Sequence, residues 1–412
     1  MRQVAKLCGI VASAGMACTA AAAPGIVGLG DIAGGDFFSE AFGVNGAGTR
    51  VVGYSINAPG QSQAVVWENG VLTVIGDLPL GAVAGVANAV SDGGAITGQG
   101  NSANGVEGFK WNGGRFRALG GTVANGLFGS SGLAINSDGR FVAGQRELAG
   151  FKIEACIWEA AAPQGLGWLS PTGFISIAYG ISGDASTVVG QSDSDDGNEA
   201  FYWTALGGMQ GLGDLDGGGV NSQANAISRD GTTIVGFGTT TNATLACKSV
   251  DRGPLVSIGD LPGGFNFAEA LAVSADGSVI VGRASSDNGI EAFVWTQSAG
   301  MRSLASVLQA GGVDLNGWQL SRAAGISDDG TVIVGTGVNP NGNTEGFIVT
   351  LPPPCPADFN GDGFVDFFDF DDFVSCFEGT ACPDGKTADF NNDGFVDFFD
   401  FDDFVVAFET GC

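Results

Sequence analysis

The sequence repeats itself over residues 24–351, with a period near 46. Each copy holds a small residue, then Val or Ile, then Ser or Asn, an Asp-Gly-like turn, and a β-branched run ending in Gly. The copies run Gly43-Val44-Asn45 to Gly53, Ala89-Val90-Ser91 to Gly98, Ala134-Ile135-Asn136 to Gly144 and Gly180-Ile181-Ser182 to Gly190. Ala226-Ile227-Ser228 to Gly236, Ala272-Val273-Ser274 to Gly282 and Gly325-Ile326-Ser327 to Gly335 complete the set. Their starts lie 46, 45, 46, 46, 46 and 53 residues apart. Such a period, filled only by short β-rich runs, predicts four-stranded propeller blades. Apolar runs flanking Asp138-Gly139, Asp230-Gly231, Asp276-Gly277 and Asp329-Gly330 predict tight hairpins. A second hairpin follows in each copy. Its first strand is Ala64-Val65-Val66-Trp67 or its counterpart, and its second a run such as Leu212-Gly213-Asp214-Leu215.

The two ends of the array complement each other. The first copy begins at Leu29-Gly30-Asp31-Ile32 and lacks an aromatic strand. That strand stands alone at the far end, as Glu345-Gly346-Phe347-Ile348-Val349. The fragments together complete one blade and close a ring, so the expected fold is an all-β, seven-bladed β-propeller. An open β-solenoid is the alternative, and would need a distinct cap at each end. Trp67, Trp111, Trp158, Trp203 and Trp295 are expected between blades rather than as a sugar-stacking platform. Asp31, Asp77, Asp214 and Asp260 recur once per copy. They are expected to end strands or cap turns rather than ring the channel with catalytic carboxylates. Gln63, Glu107, Glu154, Glu199, Glu291 and Glu345 start the aromatic strands and read as a solvated edge.

After Pro352-Pro353-Pro354, a short stiff linker, the chain changes character. Two acidic stretches, 31 residues apart, repeat one pattern. The first places Asp358, Asn360, Asp362, Asp366 and Asp369 at positions 1, 3, 5, 9 and 12 of a loop. The second places Asp389, Asn391, Asp393, Asp397 and Asp400 there. Position 6 is Gly, and position 7 offers the backbone carbonyl of Phe364 or Phe395. That is a wrapping of oxygen donors around a hard cation, so the expected cofactor is calcium, two ions. A disordered acidic tail would be poor in aromatics, yet residues 355–412 hold 14 of the 29 Phe. Phe367, Phe370, Phe373, Val374 and Phe377 recur at helical spacing, as do Phe398, Phe401, Phe404, Val405 and Phe408. A small domain of two loop-helix units, packed on their Phe faces, is expected over 355–412.

Loop plus exiting helix, duplicated, with Asp instead of Glu at position 12, resembles the dockerin family. The match is closest to dockerin-like tails that open with Cys-Pro-Ala-Asp, here Cys355 to Asp358, and end in Gly-Cys, here Gly411-Cys412. The resemblance implies a calcium-dependent surface-attachment or assembly module. Its partner would be a cohesin-like or other surface protein. Dockerins carry small polar residues at loop positions 10 and 11, where this chain has Phe367-Phe368 and Phe398-Phe399; these are expected to face inward. Residues 24–351 resemble the bacterial extracellular HAF-repeat family, although Glu or Gln replaces its His. That resemblance implies secretion and a β-rich repeat.

Secretion is also read from the N-terminus. Arg2 and Lys6 precede an apolar stretch from Leu7 to Ala20, and the Ala20–Ala23 run offers cleavage sites, making residues 1–23 a signal peptide. No other segment is long enough to span a membrane. An oxidising compartment favours disulfides. Cys376–Cys382 and Cys355–Cys412 are the expected bridges, with a free Cys412 as the rival, while Cys156 and Cys247 are expected to be separate buried thiols. The net charge of −28 lacks the basic footprint of nucleic-acid binding.

The chain contains no His, so imidazole bases and Ser-His-Asp triads are excluded. The resulting expectation is a secreted, non-enzymatic binding or structural protein, with a glycan or protein ligand on the propeller. The alternatives are a dockerin-borne glycan-acting enzyme with carboxylates at the propeller mouth, or a tail that serves as an export or sorting tag.

Overall fold

The computed structural model describes residues 24–121, 129–159, 162–351, 356–361, 365–383, 386–391 and 393–410. The expected signal segment, the expected proline linker, Cys355 and Cys412 lie outside them. Among the described residues, seven sheets follow one another along the chain, each of four antiparallel strands, the fourth with Val220–Asn221 added in parallel. Blades 1 to 6 cover 39–76, 86–118, 130–167, 176–213, 223–259 and 268–303, each a meander from the axis outward. Blade 7 takes three strands from 319–350 and its outer strand from Gly25–Gly28, where Gly25 pairs with Thr350 and Gly28 with Phe347. Val334 and Ile348 of blade 7 then pack on Ala41, Val51, Val65 and Trp67 of blade 1, and the ring is closed. The long last interval of the repeat holds a short helix, α1 (Leu304–Ala310), whose Leu304 and Leu308 plug the space between blades 6 and 7.

The outer strand differs from expectation. It precedes the Leu-Gly-Asp run and ends at its Gly, as in Val71–Gly76, Gly208–Gly213 and Val256–Gly259. Gly76, Gly213 and Gly259 have φ of 94°, 74° and 94°, which turns the chain out of the sheet.

The invariant parts of the repeat have visible causes. The Ser or Asn closes the Asp-Gly turn: Asn45, Ser91, Asn136, Ser182, Ser228, Ser274 and Ser327 each accept a backbone N–H four or five residues on. The small residues let inner strands approach at the axis. A Cβ on Gly43 would meet the Asn88 carbonyl of blade 2 at 3.0 Å, and one on Gly180 the Ala226 Cα at 3.1 Å. Every inner strand also carries a β-bulge beside its small residues, as between Ala41 and Gly43 or Ala178 and Gly180.

Side chains between blades form the core. Trp67, Trp158, Trp203 and Trp295 are buried there and Trp111 half-buried, which agrees with the sequence reading. Phe109, Phe201, Phe293 and Phe347 occupy one equivalent third-strand position and are wholly buried. Cys156 and Cys247 hold that position in blades 3 and 5, as free buried thiols. Burial pushes Cys156 well up and Cys247 up to about 12.

In the tail, α2 (Phe367–Phe377) and α3 (Phe398–Thr410) pack by their Phe faces. The Phe373 and Phe404 rings stack at 3.9 Å, with Phe359 and Phe390 set edge-on around them. Cys376–Cys382 is a disulfide that ties the end of α2 to the next loop. Phe367, Phe368, Phe398 and Phe399 do not face inward. All four lie in the first helical turns, away from the Phe373–Phe404 stack, and are 66–71% exposed.

Candidate functional site

The described residues of the two acidic loops share one hydrogen-bond pattern at position 12. Asp369, at position 12 of the first, is fully buried; its Oδ1 accepts the Asn360 N–H at 3.0 Å and its Oδ2 the Asp366 N–H at 2.9 Å. Asp400 repeats this in the second, accepting from Asn391 at 3.1 Å and Asp397 at 2.8 Å. Asp366 and Asp397 each cap their helix through the N–H two residues on, both at 2.8 Å. Burial pushes the Asp400 carboxyl up, but the N–H groups of Asp397, Asn391 and Phe390 outweigh it and hold the group below the usual range. Asp389 accepts from Asp393 at 3.0 Å and Gly394 at 2.9 Å, the latter at φ 92° where position 6 must turn. Asp362 and Phe364 of the first loop lie outside the described residues. In the second loop Asp393 and Phe395 are described; the Phe395 N–H bonds to the Asp393 carboxylate at 2.9 Å.

Among the described residues, no three acidic or cysteine side chains are grouped closely enough to hold a metal ion. The donor chemistry nevertheless fits calcium. Each loop supplies only oxygens, and the position-12 carboxylate is fixed against both ends of its loop.

The second candidate is the propeller channel. At the end where the inner strands finish, a cavity of about 190 Å³ touches all seven blades. Ser137, Gly183, Arg229, Ala275 and Asp328 line it in blades 3 to 7, each just before the turn Asp, and Gly46 and Asp92 hold the same turn position in blades 1 and 2. Hydrogen bonds link each blade to the next around this rim. They run from Gly46 N to Asp92 Oδ1, Asp92 N to Ser137 O, Asn136 Nδ2 to Gly183 O and Gly183 N to Arg229 O. Asp230 N to Ala275 O, Ala275 N to Asp328 O and Asp328 N to Gly46 O close the belt. Arg229 spans the opening. It pairs with Asp92 of blade 2 and, through Nε at 3.0 Å, with Asp328 of blade 7. Burial raises the Asp328 carboxyl, with the Arg229 charge working against it. Nothing in the sequence pointed to this pair, because its members are 137 residues apart.

The recurring acids have structural partners. Asp77 accepts the N–H groups of Leu78, Ala84 and Asn101, and Asp214 those of Leu215, Asn221 and Thr239. They fasten the crossing from one blade to the next, as expected of turn caps. The Glu set is not a solvated edge. Glu107, Glu154 and Glu345 are buried. Glu107, Glu154, Glu199 and Glu345 accept the N–H of Gly120, Gly167, Gly213 and Gly30 at 2.8–3.3 Å. Each ties a third strand to the end of the outer strand beside it. The signal for this was the co-occurrence of Glu with Leu-Gly about 13 residues later.

Two solved structures share this fold and a third is more loosely similar. A puromycin-hydrolyzing peptidase from Mycobacterium tuberculosis aligns with a TM-score of 0.52 at 12% identity, over 79% of this chain and 53% of that one. An oligogalacturonate lyase from Vibrio parahaemolyticus aligns with a TM-score of 0.51 at 11% identity, over 80% and 94%. TolB from Acinetobacter baumannii aligns at 0.43 and 12% identity, over 60% of this chain and 61% of its own. At such identities the likeness concerns the fold alone, a β-propeller. No protein-family model and no curated protein matches the chain. Among the described residues, no helix is long and apolar enough to cross a membrane.

Proposed function

We propose that this chain is a secreted, non-enzymatic binding protein whose propeller is attached, through a calcium-dependent dockerin-like tail, to a cell-surface or extracellular assembly. The observation that carries this is the identical fixing of Asp369 and Asp400, each buried and bonded to loop positions 3 and 9. Two copies of one loop, each starting a Phe-packed helix, suit two calcium ions. Asp358, Asn360, Asp362, Asp366, Asp369 and the Phe364 carbonyl would hold one. Asp389, Asn391, Asp393, Asp397, Asp400 and the Phe395 carbonyl would hold the other. The Cys376–Cys382 bridge and the signal-like N-terminus support export. The HAF-repeat resemblance points the same way.

The exposed Phe367-Phe368 and Phe398-Phe399 pairs form the docking face. Exposed Asp371, Asp402 and Asp403 flank them. The partner therefore presents an apolar surface with a basic rim. The lack of His removes the commonest general base.

The test is capture of surface and secreted proteins of the producing cell by the full mature chain, with calcium or with chelator. A binder seen only with calcium, and lost with Asp369→Asn plus Asp400→Asn, supports the reading. No calcium-dependent binder, from a chain that takes up calcium, overturns docking.

A further inference from the structure

The opposite mouth of the channel, where the inner strands begin, is less uniform than the rest of the ring. The small residue just inside it is Ala or Gly in every blade, for example Ala41, Ala270 and Ala323. One residue earlier the uniformity ends. Gln223, Glu269, Arg322 and Glu40 fall on four consecutive blades, 5, 6, 7 and 1. A repeat that needs one residue type for packing keeps it. Polar variety at one layer, on one side of a ring, is the pattern of a surface shaped for something else.

Two of these four are satisfied by the protein. Glu269 accepts Arg283 Nε at 2.9 Å and Nη2 at 2.8 Å, and Asn225 Nδ2 at 3.2 Å. Gln223 donates to the Asn225 side chain. Arg322 differs. Among the described residues its guanidinium has no ion pair and no hydrogen bond, and its Nε is buried without an acceptor. It lies over the Phe42 ring of blade 1, 5.5 Å from the centroid. Burial and the nearby Arg283 charge both work against its protonated form. Glu40, across the seam, feels the Arg322 charge without reaching it, and burial raises its carboxyl. Phe42 and Phe38 each stand 5.7 Å from Tyr54, the cross-strand neighbour of Glu40.

The Arg322 Nε is shut off from the mouth, but its two terminal nitrogens are neither bonded nor fully buried among the described residues, and that end of the fork matches a planar oxyanion in two hydrogen bonds. Glu40 restricts the choice. It repels a second negative charge close by and accepts hydrogen-bond donors. The aromatic group of Phe38, Phe42 and Tyr54 offers a face to a ring. We propose that the seam between blades 7 and 1 at this mouth binds an acidic saccharide, with Arg322 on its carboxylate, Glu40 on its hydroxyls, and Phe42 and Tyr54 against its ring. This deepens the reading of the propeller as a binding domain and rests on it, but it does not depend on the tail.

The test is calorimetric titration of the full chain at low salt with a glucuronate tetrasaccharide, a neutral glucose tetrasaccharide and acetate. The expected result is binding of the acidic tetrasaccharide at least about tenfold tighter than either control. Arg322→Met should weaken it about tenfold or more, Arg322→Lys should also weaken it because the fork is lost, and Arg140→Gln, far outside the seam, should leave it unchanged. The lysine variant keeps a cation in the seam and serves if the methionine variant does not fold. No binding, equal binding of the neutral sugar, or undiminished binding by both Arg322 variants overturns the site. Consumption of the saccharide during incubation would uphold the site and overturn the non-enzymatic reading. Failure of the tail to dock bears on neither result.

Discussion

Glu345 Oε1, on the last strand of the propeller, accepts the backbone N–H of Gly30 at 2.8 Å across 315 residues of chain. The other oxygen takes Asn339 Nδ2 at 2.7 Å. The bond is one of a set made in several blades, but only here does it join the two ends of the domain. Leu29 N to Gly346 O at 2.9 Å and Gly346 N to Ser39 Oγ at 3.1 Å reinforce the same seam. Glu345→Ala leaves the Gly30 N–H and the Asn339 amide without their acceptor. The expected loss is about 1–3 kcal/mol in urea unfolding, since unmade buried hydrogen bonds cost that much. Glu68→Ala, at a half-exposed ion pair, should cost less than about 1 kcal/mol.

The Asp-Gly turn predicts a stabilising substitution. Gly48, Gly94, Gly139, Gly231, Gly277 and Gly330 hold positive φ at one turn position. Blade 4 has Ala185 there, at φ 60°. A Cβ in this left-handed region costs roughly 1–2 kcal/mol. Ala185→Gly should therefore stabilise the protein, by about 0.5–1 kcal/mol after the entropy of glycine in the unfolded chain is set against it. A shift of the urea midpoint to lower concentration would contradict this.

Acid should unfold the propeller through its turns. The Arg140 N–H holds Asp138 below the usual carboxylate range, and the Ser186 N–H does so for Asp184. In Asp230, Asp276 and Asp329 burial pushes up, but hydrogen bonds from the turn outweigh it. A carboxyl lowered on folding lends stability above its unfolded value and loses it as pH falls through the folded one. Asp260 and Asp328 are raised by burial and act in the opposite sense. Stability should thus change little down to about pH 4 and fall below it. Asp184→Asn with Asp276→Asn should shrink the drop between pH 6 and pH 3, as read from denaturation midpoints.

The thiols of Cys156 and Cys247 should be inert. Both are buried, with ionisation suppressed by that burial. Alkylation at pH 8 followed by peptide mass spectrometry should leave both unmodified in the native protein and modify both in denaturant. Rapid native modification of either would show that its blade opens.

The ring was legible because period and complementary ends are properties of sequence alone. Four strands per copy, seven blades and a last blade completed from both ends of the array all follow from them, although its N-terminal strand is Gly25–Gly28 and not the Leu29–Ile32 run. The end of the outer strand was not legible, because Leu-Gly-Asp reads as apolar alternation until the φ of its Gly is known. Glu107 and Glu345 were misread because a carboxylate at a strand start is ordinarily wet, and their acceptor role depends on a neighbouring strand. The same limit hid Arg229, whose partners lie on blades 2 and 7. Phe367 and Phe398 share the spacing of the buried Phe stripe, yet sit in the first helical turn, away from the stacked rings of Phe373 and Phe404. Spacing identified the phase of the stripe but not where the facing helix stops.

Two-ion calcium binding by the tail underlies the proposed function. Its most direct test is calorimetric titration of the chelator-stripped full chain with calcium, followed by circular dichroism at helix wavelengths. Two ions per chain and a gain of helix are expected, because the acidic residues of each loop repel one another until a cation is bound. Asp369→Asn should reduce the count to one, and Asp369→Asn with Asp400→Asn should abolish uptake. No heat and no spectral change at millimolar calcium, or uptake unaltered by the double substitution, would contradict it.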